Sequence, residues 1–527
     1  MTRLIANVVL LVVIGGVVGG IRYDDDELYR LVQERTFQYF YGGAEPNSKL
    51  ACERINLDNE YPANDQHVVT SGGSGFGMMA ILVGIERGFI TRKQGFEHLN
   101  QSINWLETAD RYHGAWPHWL DGNTGKTVPF GQKDDGGDLV ETSFLVQGML
   151  CVRQYFKDGT SEEQALAEKV DNLTKEVEWD WYRGPNEENV LFWHWSPIYE
   201  WAKNLKIRGW NECLITYVLA VSSPTHGVDA SVYHEGWAEN GEIMDRHEAY
   251  GHQLGLRHQS YTKCGPLFWS HFSFLGLHPR GLRDRYANYW NECVNHTLMN
   301  YDYCILNPQN YTGYGPNCWG LTASYSSDDN FLAHCPENDL GVIAPTAALS
   351  SFPYTPNESM AAMRHFHDDL GESLFNTYGF FDAFSQQKSY FKREYLAHNQ
   401  GPIVVMMENH RTGLLWKLFM SCREVQEGLL QLEFEYATPE LTLQTLEPTP
   451  MLTSAPTPAS TPELTPPTSE PTPALSPELI PEPTPASTPE TEQTSSKAKK
   501  QQGMLWNSIT SSIFFIVLLY ENVVVSN

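Results

Sequence analysis

Residues 133–156 read KDDGGD and then LVETSFLVQGMLCVRQYF. Gly136 and Gly137 break the chain locally, Asp138 stands where a helix N-cap belongs, and Glu141 follows three residues later. From Leu139 to Phe156 the apolar residues recur at helical spacing, which predicts a helix. The same spacing recurs over 25–40, 76–87, 93–108, 161–177, 210–220, 284–303, 356–370 and 412–420, and sustained alternation of apolar and polar residues is scarce. Long loops rich in Gly, Trp and Asn join these segments. The pattern predicts an all-α protein, a toroid of paired helices with its site in the loops at one end.

The 527 residues carry a formal charge of −28, with 41% hydrophobic and 12% aromatic residues, 15 of them Trp. That charge argues against nucleic acid or anionic lipid as partner, since both need clustered Lys and Arg. A neutral polymer is compatible with it. Trp and Tyr suit sugars: the flat ring stacks on the CH face of a pyranose while the N–H or O–H meets hydroxyls.

Met1-Thr2-Arg3, an apolar run to about Val18, and Gly19-Gly20 have the layout of a signal peptide over 1–20. Residues 21–436 form one globular unit without a low-complexity break. From 437 to 496 the composition changes to Pro, Thr, Ser and Glu, a disordered stalk. The tail, 497–527, joins a basic cluster to an apolar run around Ile513–Tyr520, in the manner of a GPI signal or a short anchor. These features predict a secreted protein or one attached to the outer cell surface. Sequons at Asn100, Asn172, Asn295, Asn310 and Asn357 fit that route. Of the nine cysteines, those between Cys264 and Cys335 are dense enough to expect one or two disulfides there. No spacing suggests a metal site or a cofactor; His247 and His252 lack the helix signature of a zinc protease.

Asp134, Asp138 and Glu141 carry the candidate chemistry. A capping box would occupy Asp138 and Glu141 with the helix terminus. Spacings of four and three would also bring three carboxylates to one face if the turn extends backwards, and crowded like charges push one pKa up. A glycosidase needs one protonated and one ionised carboxyl. A second stretch, Trp193-His194-Trp195, leads through Arg208-Gly209-Trp210-Asn211 to Glu212 at the start of an apolar helix.

At these stretches the sequence resembles the glucoamylase-like domain family, and within it the endo-β-1,2-glucanases of glycoside hydrolase family 144. The resemblance is carried by KDDGGDLVETS (133–143), GWNE (209–212) with SSPTH (222–226), GPLFWSHFSFLG (265–276), NCWGLTA (317–323), TAALSSFPYTP (346–356) and GPIVVMMENHRTGLLWKLFM (401–420), and covers about residues 25 to 432. It implies an (α/α)6 toroid and inverting, endo-acting hydrolysis of β-1,2-glucan by a monomer without a cofactor. It places Asp134, Asp138, Glu141 and Glu212 as catalytic residues, and His118, Trp119, Trp193, His194, Trp195, Arg208, Trp269, Tyr354 and Glu408 as substrate-binding residues. Loops 228–258 and 325–335 depart from the family pattern, which puts the endo mode in doubt more than the linkage.

An inverting pair sits roughly 6.5–9.5 Å apart to admit a water. Acids within one helical turn are close for that, so Glu212 is expected to pair with one member of the 134/138/141 cluster. The competing readings are a retaining transglycosylase, an exo-acting hydrolase releasing sophorose, and a surface glucan-binding protein without activity.

Overall fold

The computed structural model describes residues 22–58 and 67–436. The leader, the Pro-rich stalk and the C-terminal tail expected from the sequence lie outside the described residues.

Thirteen α-helices and fifteen short strands make up the described residues. The helices are α1 (Asp25–Tyr41), α2 (Ser71–Glu86), α3 (Arg92–Leu106), α4 (Leu139–Phe156), α5 (Ser161–Lys175), α6 (Leu214–Ser222), α7 (Tyr289–Leu306), α8 (Pro345–Leu349), α9 (Pro356–Arg364), α10 (Gly371–Leu374), α11 (Ala397–Thr412), α12 (Leu414–Met420) and α13 (Arg423–Gln431). The strands form seven small sheets, six of two strands and one of three, and all the pairings are antiparallel. The protein is therefore helix-rich with β-ladders in its loops.

Two kinds of helix are present. In α3 and α5 one stripe is buried, and Thr91 and Thr160 start them with capping boxes. In α2, α4, α6 and α11 nearly every residue is buried, as expected of helices packed on several sides. α2 packs against α4, α11 against α2, and α4 against α6, so an element from the end of the chain closes onto one near its start. α2 and α4 touch through Gly75 and Gly148: a Cβ on Gly148 would lie 2.1 Å from the Gly75 carbonyl oxygen, so the two backbones meet where neither residue carries a side chain.

The expected disulfides are absent: all nine cysteines are free thiols. Eight are buried, and Cys151, Cys213, Cys293, Cys304, Cys318 and Cys422 belong to the main apolar core, where each packs as a small hydrophobe. Among the described residues no helix is long and apolar enough to cross a membrane.

Candidate active site

The ladder Gly137–Asp138 with His194–Trp195 brings the two motifs together. Asp138 ends that strand and caps α4, accepting from the backbone N–H of Val140 (3.1 Å) and of Glu141 (2.9 Å). The reciprocal half of a capping box is missing, because the Asp138 N–H goes to the Trp116 carbonyl. Glu141 is thereby free to turn inward. Its Oε2 accepts from the Gly72 N–H at 2.8 Å and from Thr70 Oγ1 at 3.3 Å. A Cβ on Gly72 would lie 2.5 Å from that oxygen, so glycine is what lets the start of α2 approach the carboxylate.

The three acids are joined through histidines. The three carboxylates do not share a helical face, since Asp134 lies before the helix, in a bridge to Gly131. His194 Nε2 lies 3.0 Å from Asp134 Oδ2 and 3.4 Å from Asp138 Oδ2. His118 Nδ1 lies 3.1 Å from Asp138 Oδ2, and its Nε2 lies 4.0 Å from Glu141 Oε1. Lys203 Nζ donates to Asp134 at 2.8 Å. His398 Nε2 lies 3.1 Å from both oxygens of Glu141. Ionised carboxylates only accept, so each ring nitrogen facing one carries its proton.

This network fixes the charges. Burial opposes ionisation of Asp138, but His194 and His118 outweigh it and hold the carboxyl far below the usual range. Burial likewise opposes ionisation of Glu141 and is overcome by His398 and His118, and Asp134 is held low by His194 and Lys203 against the same penalty. Burial disfavours the His118 cation, yet Glu141 and Asp138 lift it to about 9, and Glu141 raises His398 too.

Glu212 differs from all three. It is buried, and among the described residues its Oε2 has no hydrogen-bond partner and no cation pairs with it. Burial pushes its carboxyl up to about 8, with the negative charges of Glu141 and Asp138 acting in the same direction. The site thus holds one neutral carboxylic acid together with ionised carboxylates at neutral pH.

Glu141 and Glu212 both line a cleft enclosing about 1060 Å³ of space, part of it open to solvent. His118, Trp119, Trp193 and His194 line it with them, and the sequence reading missed His398, Phe130, Phe268, Phe272, Arg54 and Tyr325. Asp134 and Asp138 stand behind this lining and reach it through the histidines.

Five residues expected in the pocket do not line the cleft. Trp195 points to the other side of its strand, edge-on to His113 at 5.0 Å. Arg208 donates to the carbonyls of Glu235 and Gly236. Trp269 packs on His258 and Tyr261, and the Tyr354 hydroxyl donates to the Ser270 carbonyl. Glu408 is buried on α11 in an ion pair with Arg87 at 3.0 Å and accepts from Thr412 Oγ1 at 2.7 Å, so its charge is already neutralised.

Among the described residues one group could hold a metal ion: donor atoms of Asp134, Asp138 and His194 lie within 4.8 Å of one another. Its chemistry fits a metal poorly. His194 Nε2 presents a proton to both carboxylates instead of a lone pair, and the Lys203 ammonium already neutralises Asp134. His247 and His252 lie on paired strands, bonded to the Lys263 carbonyl and to Asp302.

The chain is similar to known proteins. A family model named Glycoamylase, described as "Putative glucoamylase", matches residues 204–423. The chain is 59% identical to the solved endo-β-1,2-glucanase of Chitinophaga pinensis in complex with sophorotriose and glucose, covering 79% of this chain and 99% of that one at a TM-score of 0.77. It is 44% identical over 428 residues to an exo β-1,2-glucooligosaccharide sophorohydrolase (non-reducing end) of Parabacteroides distasonis. That match covers 78% of this chain and 58% of the relative, so the chain spans little more than half of that protein's length. The endo-β-1,2-glucanase of Talaromyces funiculosus, with sophorose, is 11% identical at a TM-score of 0.55, covering 77% of this chain and 89% of that one, a likeness of fold alone.

Proposed function

This chain belongs to the glucoamylase-like family of β-1,2-glucan-active glycoside hydrolases, and on that premise we propose that it hydrolyses β-1,2-glucan with inversion, Glu212 serving as general acid and Glu141 as general base. The observation that carries the assignment is the opposition of charge states in one cleft: a buried Glu212 raised to about 8 and a Glu141 held ionised by His398 and His118.

Catalysis then runs as a single displacement. The Glu212 proton passes to the glycosidic oxygen as the bond from that oxygen to the anomeric carbon breaks. A water attacks the same carbon from the opposite face and gives its proton to Glu141, and the new anomer is α. Asp134 and Asp138 serve as positioning residues, since both act through His194 and His118. The surrounding Trp119, Trp193 and Phe130 rings offer faces for the sugar.

Endo cleavage is our first reading, supported by the likeness to the Chitinophaga pinensis enzyme over nearly all of that chain. Exo release of sophorose is the second, favoured by the likeness to the Parabacteroides distasonis sophorohydrolase. We further propose that the helices form an (α/α)6 toroid, a reading supported by the packing of α11 onto α2. Secretion or attachment to the outer cell surface is proposed from the sequence features of the leader, the stalk and the tail.

Incubation with β-1,2-, β-1,3-, β-1,4- and α-glucans, with products sized by chromatography, tests the substrate and the mode. The expected result is new reducing ends from β-1,2-glucan alone. Products of many lengths early in the reaction indicate endo cleavage, and sophorose alone indicates exo. Cleavage of another glucan in preference to β-1,2-glucan contradicts the proposal.

A further inference from the structure

Behind the catalytic ladder lies an aromatic patch that the mechanism does not use. Among the described residues the exposed large apolar side chains include two aromatics, Trp181 (40% exposed) and Tyr199 (39%), with Ile198 (71%) beside Tyr199. Exposure of such rings costs hydration free energy unless something covers them.

The patch is built, not loose. The His113 ring stacks on Trp181 at 3.7 Å and 12°, and its Nδ1 is held by Glu178 Oε2 at 2.9 Å. Trp195 meets His113 edge-on at 5.0 Å and 88°, and Trp201 lies 6.3 Å from Trp181. Next to Trp181, Tyr182 is buried and donates to the Tyr112 carbonyl at 2.9 Å, anchoring the turn Trp181–Arg183 from below. One indole face is thus fixed against His113 while the side chain stays open to solvent.

Its position ties it to the site. Trp195 pairs with Gly137, and its neighbour His194 faces Asp134 and Asp138. The loop bearing Ile198 and Tyr199 continues to Lys203, which reaches Asp134, and to Leu205, which lines the cleft. One ladder therefore carries His194 of the catalytic network and, as its neighbour, Trp195, which leads through His113 to the exposed Trp181.

We propose that Trp181, with Tyr199 and Ile198, is a surface binding site for a neutral glucan chain, separate from the cleft, which holds a long substrate beside the active site. Glu178, held on His113, and Asp180, whose side chain accepts from the Trp181 N–H, put negative charge beside the indole, which disfavours an anionic ligand. Three side chains are far from the roughly 800 Å² per partner of a protein interface, whereas a flat ring with one free face matches a pyranose. A chain bound there would raise the local concentration of its own remainder at the cleft. The identity of the glucan as β-1,2-linked rests on the function proposed above.

Native gel electrophoresis through soluble β-1,2-, β-1,3- and β-1,4-glucan reads binding, with Trp181→Ala, Trp181→Tyr and Tyr199→Ala each made on a Glu212→Gln parent so that the gel polymer is not hydrolysed; melting curves check folding, and the kinetic measurements use the same changes with Glu212 intact. KM is measured in parallel on long β-1,2-glucan and on a short oligosaccharide. We expect retardation of the Glu212→Gln parent in β-1,2-glucan, weakened in both alanine variants and restored in Trp181→Tyr. KM for the polymer should rise roughly 2- to 10-fold with the oligosaccharide unchanged. Trp181-dependent retardation in another glucan, without β-1,2-glucan cleavage, upholds the patch and overturns the proposed substrate. Unchanged retardation in folded alanine variants, an equal KM change on both substrates, or recovery of a protein partner lost with Trp181→Ala overturns the inference.

Discussion

Nε2 of His398 lies 3.1 Å from each carboxylate oxygen of Glu141. This contact joins α11 to the start of α4, helices far apart in sequence, and keeps Glu141 ionised inside a buried cleft. Replacing His398 with Gln removes the cation. Glu141 is held below its ordinary value of 4.5, so its pKa in the variant rises toward that value or above it. The acid limb of the kcat/KM profile should therefore move to higher pH. An unmoved limb in a folded variant would show that His398 does not set the charge of Glu141.

Glu212 governs the opposite limb. A general acid must be protonated, and Glu212 is raised to about 8, so kcat/KM should fall as pH rises through about 8. Glu212→Gln should lower kcat by roughly 10² to 10⁴ and abolish this limb in the remaining activity. Wild-type turnover by the variant would remove Glu212 from the reaction.

The same shift has a consequence for stability. In the unfolded chain Glu212 ionises near 4.5, in the fold near 8. Below 4.5 both states are protonated and no stability is lost. Between 4.5 and 8 the unfolded state releases the proton first, so the fold loses stability as pH rises, and above 8 the loss is constant, on the order of a few kcal/mol. Glu212→Gln escapes it. The melting temperature of the variant minus that of wild type should be more positive at pH 9 than at pH 4.5, by roughly a few degrees.

Much of this was legible in residues that act locally. α4 begins at Leu139 with Asp138 as its cap, as the glycine break and helical spacing indicate. What spacing could not show is that Glu141 leaves the cap for Gly72 and Thr70, a contact set by how α2 packs on α4. α11 was hidden because Gly401-Pro402 looks like a break, yet Pro402 sits inside a helix buried on nearly every side. His398 lies in that hidden helix, three residues before the stretch that drew attention, and so went unnoticed. Arg208, Tyr354 and Glu408 stand in or near motifs that resemble the family, but their partners come from distant segments or from backbone carbonyls, and Trp269 packs on the rings of His258 and Tyr261. Motif membership locates a neighbourhood; side-chain direction is decided by packing.

Glu408 illustrates the difference. Its buried pair with Arg87 predicts a structural role, so Glu408→Ala should destabilise the fold by about 3–5 kcal/mol by leaving Arg87 unpaired. Measured by denaturant unfolding, that loss should come with KM unchanged within about twofold, since the pair does not line the cleft. A raised KM with unaltered stability would place Glu408 on the substrate after all.

The most direct measurement of the central claim is proton NMR of β-1,2-glucan during the first minutes of hydrolysis by the wild-type enzyme. Inversion, with Glu212 as general acid and Glu141 as general base, predicts that the α-anomer of the new reducing end appears first and then mutarotates. First appearance of the β-anomer, or no new reducing end at all, would contradict the account.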